Sequence, residues 1–221
     1  MRAVVLVSGG MDSLVTAAMA VDGGRECAFL HVTYGQRTAA RERRAFGEIA
    51  DFYKPYKRLV ADIAYLADIG SSALTDSKIP VPEEAPDGAA GIPATYVPFR
   101  NAHLLAIAAS LAEVESAGEI WIGATQVDYS GYPDCRRVFF DAFETAIDTG
   151  TKLDTKISVA TPLISLSKAD IIREGLRLSA PFELSWSCYV KSETACGRCE
   201  SCRLRLKGFR EAGAEDPIPY E

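Results

Sequence analysis

The first two dozen residues restrict the fold more than any other part of the chain. Residues 3–7 form an unbroken aliphatic run, as expected of a strand covered on both faces of a parallel sheet. Ser8-Gly9-Gly10-Met11-Asp12-Ser13 follows with no spacer. Residues 12–21 then read as a helix, apolar at Leu14, Val15, Ala18 and Met19 and stopped by Gly23-Gly24. A loop between such a strand and helix lies at the carboxyl edge of the sheet, where open α/β folds bind ligands. Glycine reaches backbone conformations closed to other residues, so successive N–H groups can converge on one anion. The hydroxyls of Ser8 and Ser13 and the positive end of the helix add to that pull. Asp12 repels a bare phosphate but suits one bridged by Mg²⁺, which takes carboxylate and phosphate oxygens together. The plainer alternative is a turn in which Asp12 or Ser13 caps the helix.

The same rhythm continues. Residues 27–32 read as a second strand, residues 38–53 as a helix anchored by Ala45, Phe46, Ile49 and Phe52, and residues 56–60 as a third strand. This β-α-β-α-β order implies a doubly wound, mostly parallel α/β sheet. Residues 71–98 interrupt it with Pro80, Pro82, Pro86, Pro93 and Pro98; so long a loop in a compact domain is usually a functional cover or disordered. A helix over 101–116, a strand over 119–123, a polar loop over 124–135 and a helix over 138–148 follow. Residues 157–160 read as the last strand and residues 168–176 as a helix whose start Ser167 marks. From residue 181 apolar periodicity fades. The expected division is therefore a main domain over 1–180 with a small tail, 181–221, packed on it.

Charge narrows the function. With 24 basic against 30 acidic side chains the net charge is −6, which disfavours a dedicated nucleic-acid binder but not a small nucleotide held by backbone amides. No apolar run approaches the roughly 20 residues that span a bilayer, and the N-terminal run is too short for a signal peptide. The expectation is a soluble cytoplasmic protein with no stable nucleic-acid partner and no membrane partner.

Cys188, Cys196, Cys199 and Cys202 cluster near the end of the chain. Cys-x-x-Cys steps let neighbouring thiolates reach one tetrahedral ion, and four protein ligands leave no open position, so one structural Zn²⁺ per chain is expected. An iron–sulfur cluster or a redox pair are the alternatives. Lys191, Arg198, Arg203 and Arg205 are placed in sequence to offset the excess thiolate charge. Cys27 reads as core packing. Cys135, in a polar loop, has no evident partner base for a thiol role. His31 and His103 read as satisfied structural histidines rather than catalytic ones.

Four further segments are more polar than connectors require: 33–37, 97–101, 127–136 and 161–168. Three of them are strand-to-helix crossings, where a doubly wound sheet assembles its site. Plain readings compete: Ser167 as a helix cap, Lys168 as a solvated side chain, and Tyr129, Tyr132 and Pro133 as a turn.

S-G-G-M-D-S at 8–13 resembles the pyrophosphate loop of the N-type ATP pyrophosphatases, whose fold is adenine nucleotide alpha hydrolase-like. Together with Y-G-Q-R (34–37), G-S-S-A-L-T-D (70–76), T-Y-V-P-F-R-N (95–101), V-D-Y-S-G-Y-P-D-C-R (127–136), T-P-L-I-S-L-S-K (161–168) and the cysteine tail, it resembles the 7-cyano-7-deazaguanine synthase family over essentially the whole chain. The chain departs from the family pattern at Thr33, usually Asp, and at Thr38, often His. The resemblance implies a ligase that converts 7-carboxy-7-deazaguanine and ammonia to the nitrile, spending ATP with Mg²⁺ in two activations. It implies ATP contacts from Val7, Ser8, Gly9, Gly10, Met11, Asp12, Ser13, Leu14, Val15, Thr16 and Ala17. Asp12, Ser13, Lys168 and Arg100 are then the catalytic candidates, the last two offsetting phosphate charge. Tyr34, Gln36, Asn101, Asp128, Tyr129, Tyr132 and Asp134 are implied to contact the deazapurine, and a homodimer is a further expectation. A tRNA-thiolating pyrophosphatase shares the loop, but it needs a basic surface and reactive cysteines. A zinc-dependent binding module on a dead nucleotide fold is the rival outside enzymes, and the intact loop speaks against it. A relative that delivers the activated group to a protein amine remains a third reading.

Overall fold

The computed structural model describes residues 1–83, 91–126 and 131–221. Five strands, β1 (Arg2–Leu6), β2 (Glu26–Thr33), β3 (Lys57–Asp62), β4 (Glu119–Trp121) and β5 (Ser158–Ala160), form one sheet in the order β3-β2-β1-β4-β5. Every pairing is parallel, with Val5 opposite Phe29 on one side and Trp121 on the other. The doubly wound α/β architecture expected from the sequence is the one the chain adopts. The chain runs outward from β1 to β2 and β3, then returns to place β4 on the other side of β1. That reversal opens a crevice at the carboxyl ends of β1 and β4.

Period-two alternation explains the unbroken aliphatic run at the N-terminus. Val4 and Leu6 join a core layer with α4 (Arg100–Glu115) and α5 (Arg137–Gly150), through Leu105, Ala108 and Phe140. Val5 and Val7 join the opposite layer, built from α1 (Met11–Asp22), α2 (Ala39–Tyr53), α6 (Lys168–Arg177) and α7 (Glu200–Ala212) through Leu14, Phe46, Ile171 and Phe209. Among the described residues, no helix is long and apolar enough to cross a membrane.

The structure adds two helices to the sequence reading. A short helix, α3 (Tyr65–Ile69), follows β3, and the cysteine tail contains the thirteen-residue α7. Helix α7 hid because its buried stripe contains Arg205 and Gly208 where apolar residues would signal burial. Gly208 is there for contact: a Cβ at that position would lie 2.8 Å from Ile172 Cδ1 and 2.9 Å from Lys168 Cβ. Strand β4 also stops at Trp121, short of the expected residue 123. A Cβ on Gly123 would meet Thr16 Oγ1 at 2.8 Å, so the chain passes tightly over α1 there instead of continuing the ladder.

Candidate active site at the sheet switch point

A cavity of about 250 Å³ fills the crevice. Its floor is the end of β1 and the loop that follows. Ser13 Oγ accepts the Ser8 N–H at 3.1 Å and donates to Gly10 O at 2.9 Å, while Ser8 Oγ accepts the Gly10 N–H at 3.2 Å. Gly9 takes φ +91°, and a Cβ there would collide with Glu42 O at 2.6 Å, so helix α2 presses on the turn. Below the turn, the fully buried His31 holds Val7 O through Nδ1 at 3.0 Å and stacks on Phe46. The Val7–Ser8 peptide unit is thus fixed at both its C=O and its N–H. Burial lowers the His31 pKa, with the Val7 carbonyl and Glu42 opposing and Arg43 adding to the fall.

At the mouth of the loop, Lys168 Nζ pairs with Asp12 Oδ2 at 2.6 Å. Asp12 Oδ1 is buried and has no hydrogen-bond partner among the described residues. A bare carboxylate oxygen beside the Ser8–Ser13 turn fits a divalent cation that also binds phosphate.

The opposite wall comes from α4. Its first residue, Arg100, donates from Nη1 to the Tyr34 hydroxyl at 3.0 Å. Asn101 donates its backbone N–H to Asp134 Oδ2 and its Nδ2 to Asp134 O, both at 2.9 Å. Asp134 therefore supplies the cap that α4 lacks locally, since the residue before the helix is Phe99 at φ +57°. Gln36 bridges the Tyr34 N–H and Glu42 Oε2 at 2.8 and 2.9 Å, and Thr38 Oγ1 donates to Glu42 Oε1 at 2.7 Å. Tyr132 and Thr95 share a hydrogen bond of 2.6 Å, and burial pushes the Tyr132 phenol up to about 12.

The cysteine segment closes the third side. Trp186, Ser187 and Tyr189 line the cavity, and the Trp186 N–H donates to Gly9 O at 2.8 Å. The Sγ atoms of Cys188, Cys196, Cys199 and Cys202 lie within 4.8 Å of one another, and all four residues are buried. Cys188 Sγ accepts N–H groups from Val190, Lys191 and Cys196 at 3.3–3.5 Å, and Cys196 Sγ accepts from Cys199 at 3.3 Å. Four soft donors so gathered, with backbone dipoles aimed at sulfur, fit a tetrahedral thiolate-bound ion. Among the four cations expected to offset the thiolates, Arg205 instead serves Asp216. Lys191 and Arg198 pair with Glu221, and Arg203 donates to Glu83 O. The remaining two cysteines are poor nucleophiles, since burial raises both Cys27 and Cys135 to about 11.

Residues 2–213 match the family described as "Queuosine biosynthesis protein QueC". The chain belongs to the QueC family. It is 55% identical over 221 residues to a 7-cyano-7-deazaguanine synthase of Chlorobium phaeobacteroides, covering 100% of this chain and 97% of the relative. It is 52% identical over 223 residues to the enzyme of that name from Chlorobaculum tepidum, covering 100% of this chain and 97% of the relative. Among solved structures, NMN synthetase from Francisella tularensis superposes with a TM-score of 0.50 at 15% identity, covering 97% of this chain and 77% of that one. That likeness concerns the fold.

In this QueC chain the cavity gathers Val7, Ser8, Gly10, Met11, Asp12 and Ser13 with Tyr34, Arg100, Asn101 and Lys168. Leu14, Val15, Thr16 and Ala17 lie beneath them in α1, each 0% exposed. Gln36, Tyr132 and Asp134 stand behind the lining, each bonded to another protein group. Asp128 and Tyr129 lie outside the described residues. Sequence reasoning missed Glu42, Trp186, Ser187 and Tyr189. The two aromatics flanking Cys188 were the available signal, because rings of that size beside a metal knuckle must pack on something.

Proposed function

We propose that the protein is an ATP-dependent 7-cyano-7-deazaguanine synthase that turns 7-carboxy-7-deazaguanine and ammonia into the nitrile. The observation that carries this reading is the Ser8–Ser13 turn at the switch point, with the Lys168–Asp12 pair at its mouth and a cavity of about 250 Å³ beside it. Its place in a chain so close to named synthases over its full length supports it.

The chemistry suits the chamber. A carboxylate resists nucleophiles because its charge repels them and oxide leaves poorly. Attack of a carboxylate oxygen on the α-phosphorus of ATP expels pyrophosphate and leaves an acyl adenylate. Ammonia then displaces AMP to give the amide. Attack of the amide oxygen on a second ATP expels pyrophosphate again, and loss of AMP and a proton yields the nitrile. The loop amides and hydroxyls hold the departing pyrophosphate, and Lys168 offsets its charge. Asp12 Oδ1 is the oxygen for Mg²⁺, which supplies further charge neutralisation when bound. Asp128 and Tyr129 are the candidates to recognise the deazapurine, Tyr132 and Asp134 brace the cavity wall from behind, and water must be kept from the adenylate, which it would hydrolyse. Residues 1–180 carry the nucleotide chemistry, while residues 181–221 hold Zn²⁺ and supply one wall.

The test is AMP release from MgATP with and without 7-carboxy-7-deazaguanine and ammonium, with mass analysis of the products. AMP, amide and nitrile are expected only with both co-substrates. AMP that appears only with tRNA and a sulfur donor overturns the reading.

A further inference from the structure

Two guanidinium groups line the cavity, and they are treated differently. Arg205 is paired to both oxygens of Asp216 and bonded to Ser185, Ser187 and Phe182 O. Arg100 also lines the cavity, yet its one hydrogen bond is the neutral hydroxyl of Tyr34, whose ring centre lies 5.2 Å from its guanidinium carbon. Among the described residues no carboxylate is ion-paired with Arg100; Asp134 acts on it only through space, and each nearby acid has a hydrogen-bond or ion-pair partner elsewhere. Asp12 is held by Lys168, Glu42 by Gln36 and Thr38, and Asp134 by the Asn101 N–H. A partly buried cation without an ion-pair partner is costly. Kept in a cavity wall, it marks where an anion docks.

Two kinds of anion enter the reaction proposed above, and this inference rests on that reading. The phosphate chain has its own station: the Ser8–Ser13 turn, α1 and α6 all belong to one face of the sheet, with Lys168. Arg100 arrives with α4 from the other face. With Nη1 committed to Tyr34, the guanidinium still has donors on a planar edge, the shape that matches a carboxylate in a fork. We propose that Arg100 is the dock for the substrate's carboxylate and the residue that separates the two activations by charge. The acid brings the anion that Arg100 lacks. The amide is neutral, and its NH₂ group offers a guanidinium only another donor. Arg100 therefore serves the acid-to-amide half far more than the amide-to-nitrile half.

The experiment supplies 7-carboxy-7-deazaguanine and its 7-carboxamide separately, each with MgATP and ammonium, to wild type, Arg100→Gln and Arg100→Lys. AMP and product masses are followed. For Arg100→Gln, kcat/KM with the acid is expected to fall by about a hundredfold or more, since one partner of a buried charge pair is gone. The fall with the carboxamide is expected to be smaller by at least about tenfold, and activity on the carboxamide also reports that the variant is folded. Arg100→Lys restores charge without the fork and recovers part of the loss. Equal losses with both substrates, or a loss confined to the KM for ATP, overturn the inference. Should Arg100→Gln fail to fold, the same comparison with Arg100→Lys decides. A wild type that converts neither compound instead overturns the proposed function.

Discussion

Replacing Arg205 by methionine tests how the cysteine tail is held to the nucleotide fold. Arg205 and Asp216 are 1% and 3% exposed at their side chains and form a fork with N–O distances of 2.7 and 2.9 Å. Removing one partner of such a buried pair costs about 3–5 kcal/mol, most of it from the charge left behind. Asp216 would keep the Tyr220 hydroxyl and the Ile218 N–H, so the lower end, about 3 kcal/mol, is expected. For a chain of 221 residues, each kcal/mol moves Tm by roughly 2–4 °C, giving a fall of about 6–12 °C. The assay is urea and thermal unfolding of zinc-loaded protein for Arg205→Met, Asp216→Asn and the double variant. The double variant should lose less than the sum of the singles, because removing both partners leaves no orphan charge. A single-variant cost below about 1 kcal/mol, or strictly additive losses, refutes the reasoning. The folded fraction of Arg205→Met should also bind nucleotide more weakly, since Arg205 anchors the segment whose Trp186 N–H holds Gly9 O.

Three further outcomes are expected. Gly9→Ala combines φ +91° with a 2.6 Å approach to Glu42 O; it should cost about 1–3 kcal/mol in stability and lose most binding of a non-hydrolysable ATP analogue, read by calorimetry. Cys199→Ser should drop the metal content below one zinc per chain by elemental analysis and lower the urea midpoint, since metal binding and folding are coupled. His31 is neutral in the fold with its pKa depressed by burial, while the unfolded chain takes up a proton near 6.5. Its stabilising contribution is complete above that pH and drains as pH falls below it. Urea midpoints at pH 7, 6 and 5 should therefore fall more steeply for wild type than for His31→Asn, whose amide cannot charge; parallel slopes would contradict this.

The sheet was legible because its central strands are buried on both faces and therefore read as aliphatic runs, as at Val4, Val5 and Leu6. Edge strand β3 was legible less well: its alternating exposure leaves only Leu59 and Ala61 turned to the core, and its bounds shifted by a residue or two. Helix α7 was missed because burial there is achieved by an ion pair and a glycine contact, which no hydrophobic period records. The phosphate loop was legible since its chemistry is local, glycine and hydroxyl within a few positions. The third wall was not. Trp186 and Tyr189 reach the cavity only because the cysteine knuckle folds back onto Gly9, a contact between residues far apart in the chain. The hydrogen-bonded roles of Asp134 and Gln36 were equally invisible, for a polar residue in a loop reads the same whether it serves a ligand or a helix end.

A chain of net charge −6 that must hold a triphosphate and a carboxylate together needs a way to silence its own acids near the site. The structure does this one carboxylate at a time. Asp12 is matched by Lys168 at 2.6 Å. Glu42, whose backbone presses on the phosphate turn, receives Gln36 Nε2 and Thr38 Oγ1 on separate oxygens. Thr38 thereby engages Glu42 with a hydroxyl donor and adds no charge of its own. Asp134 is spent on the start of α4. Among the described residues, the planar edge of Arg100 beyond its bond to Tyr34 is left for a ligand. The loop adds backbone amides that can be won from Ser8 and Ser13 hydroxyls when a better acceptor arrives. The cations at the cavity are therefore available to anionic ligands because the nearby carboxylates already have hydrogen-bond or ion-pair partners of their own.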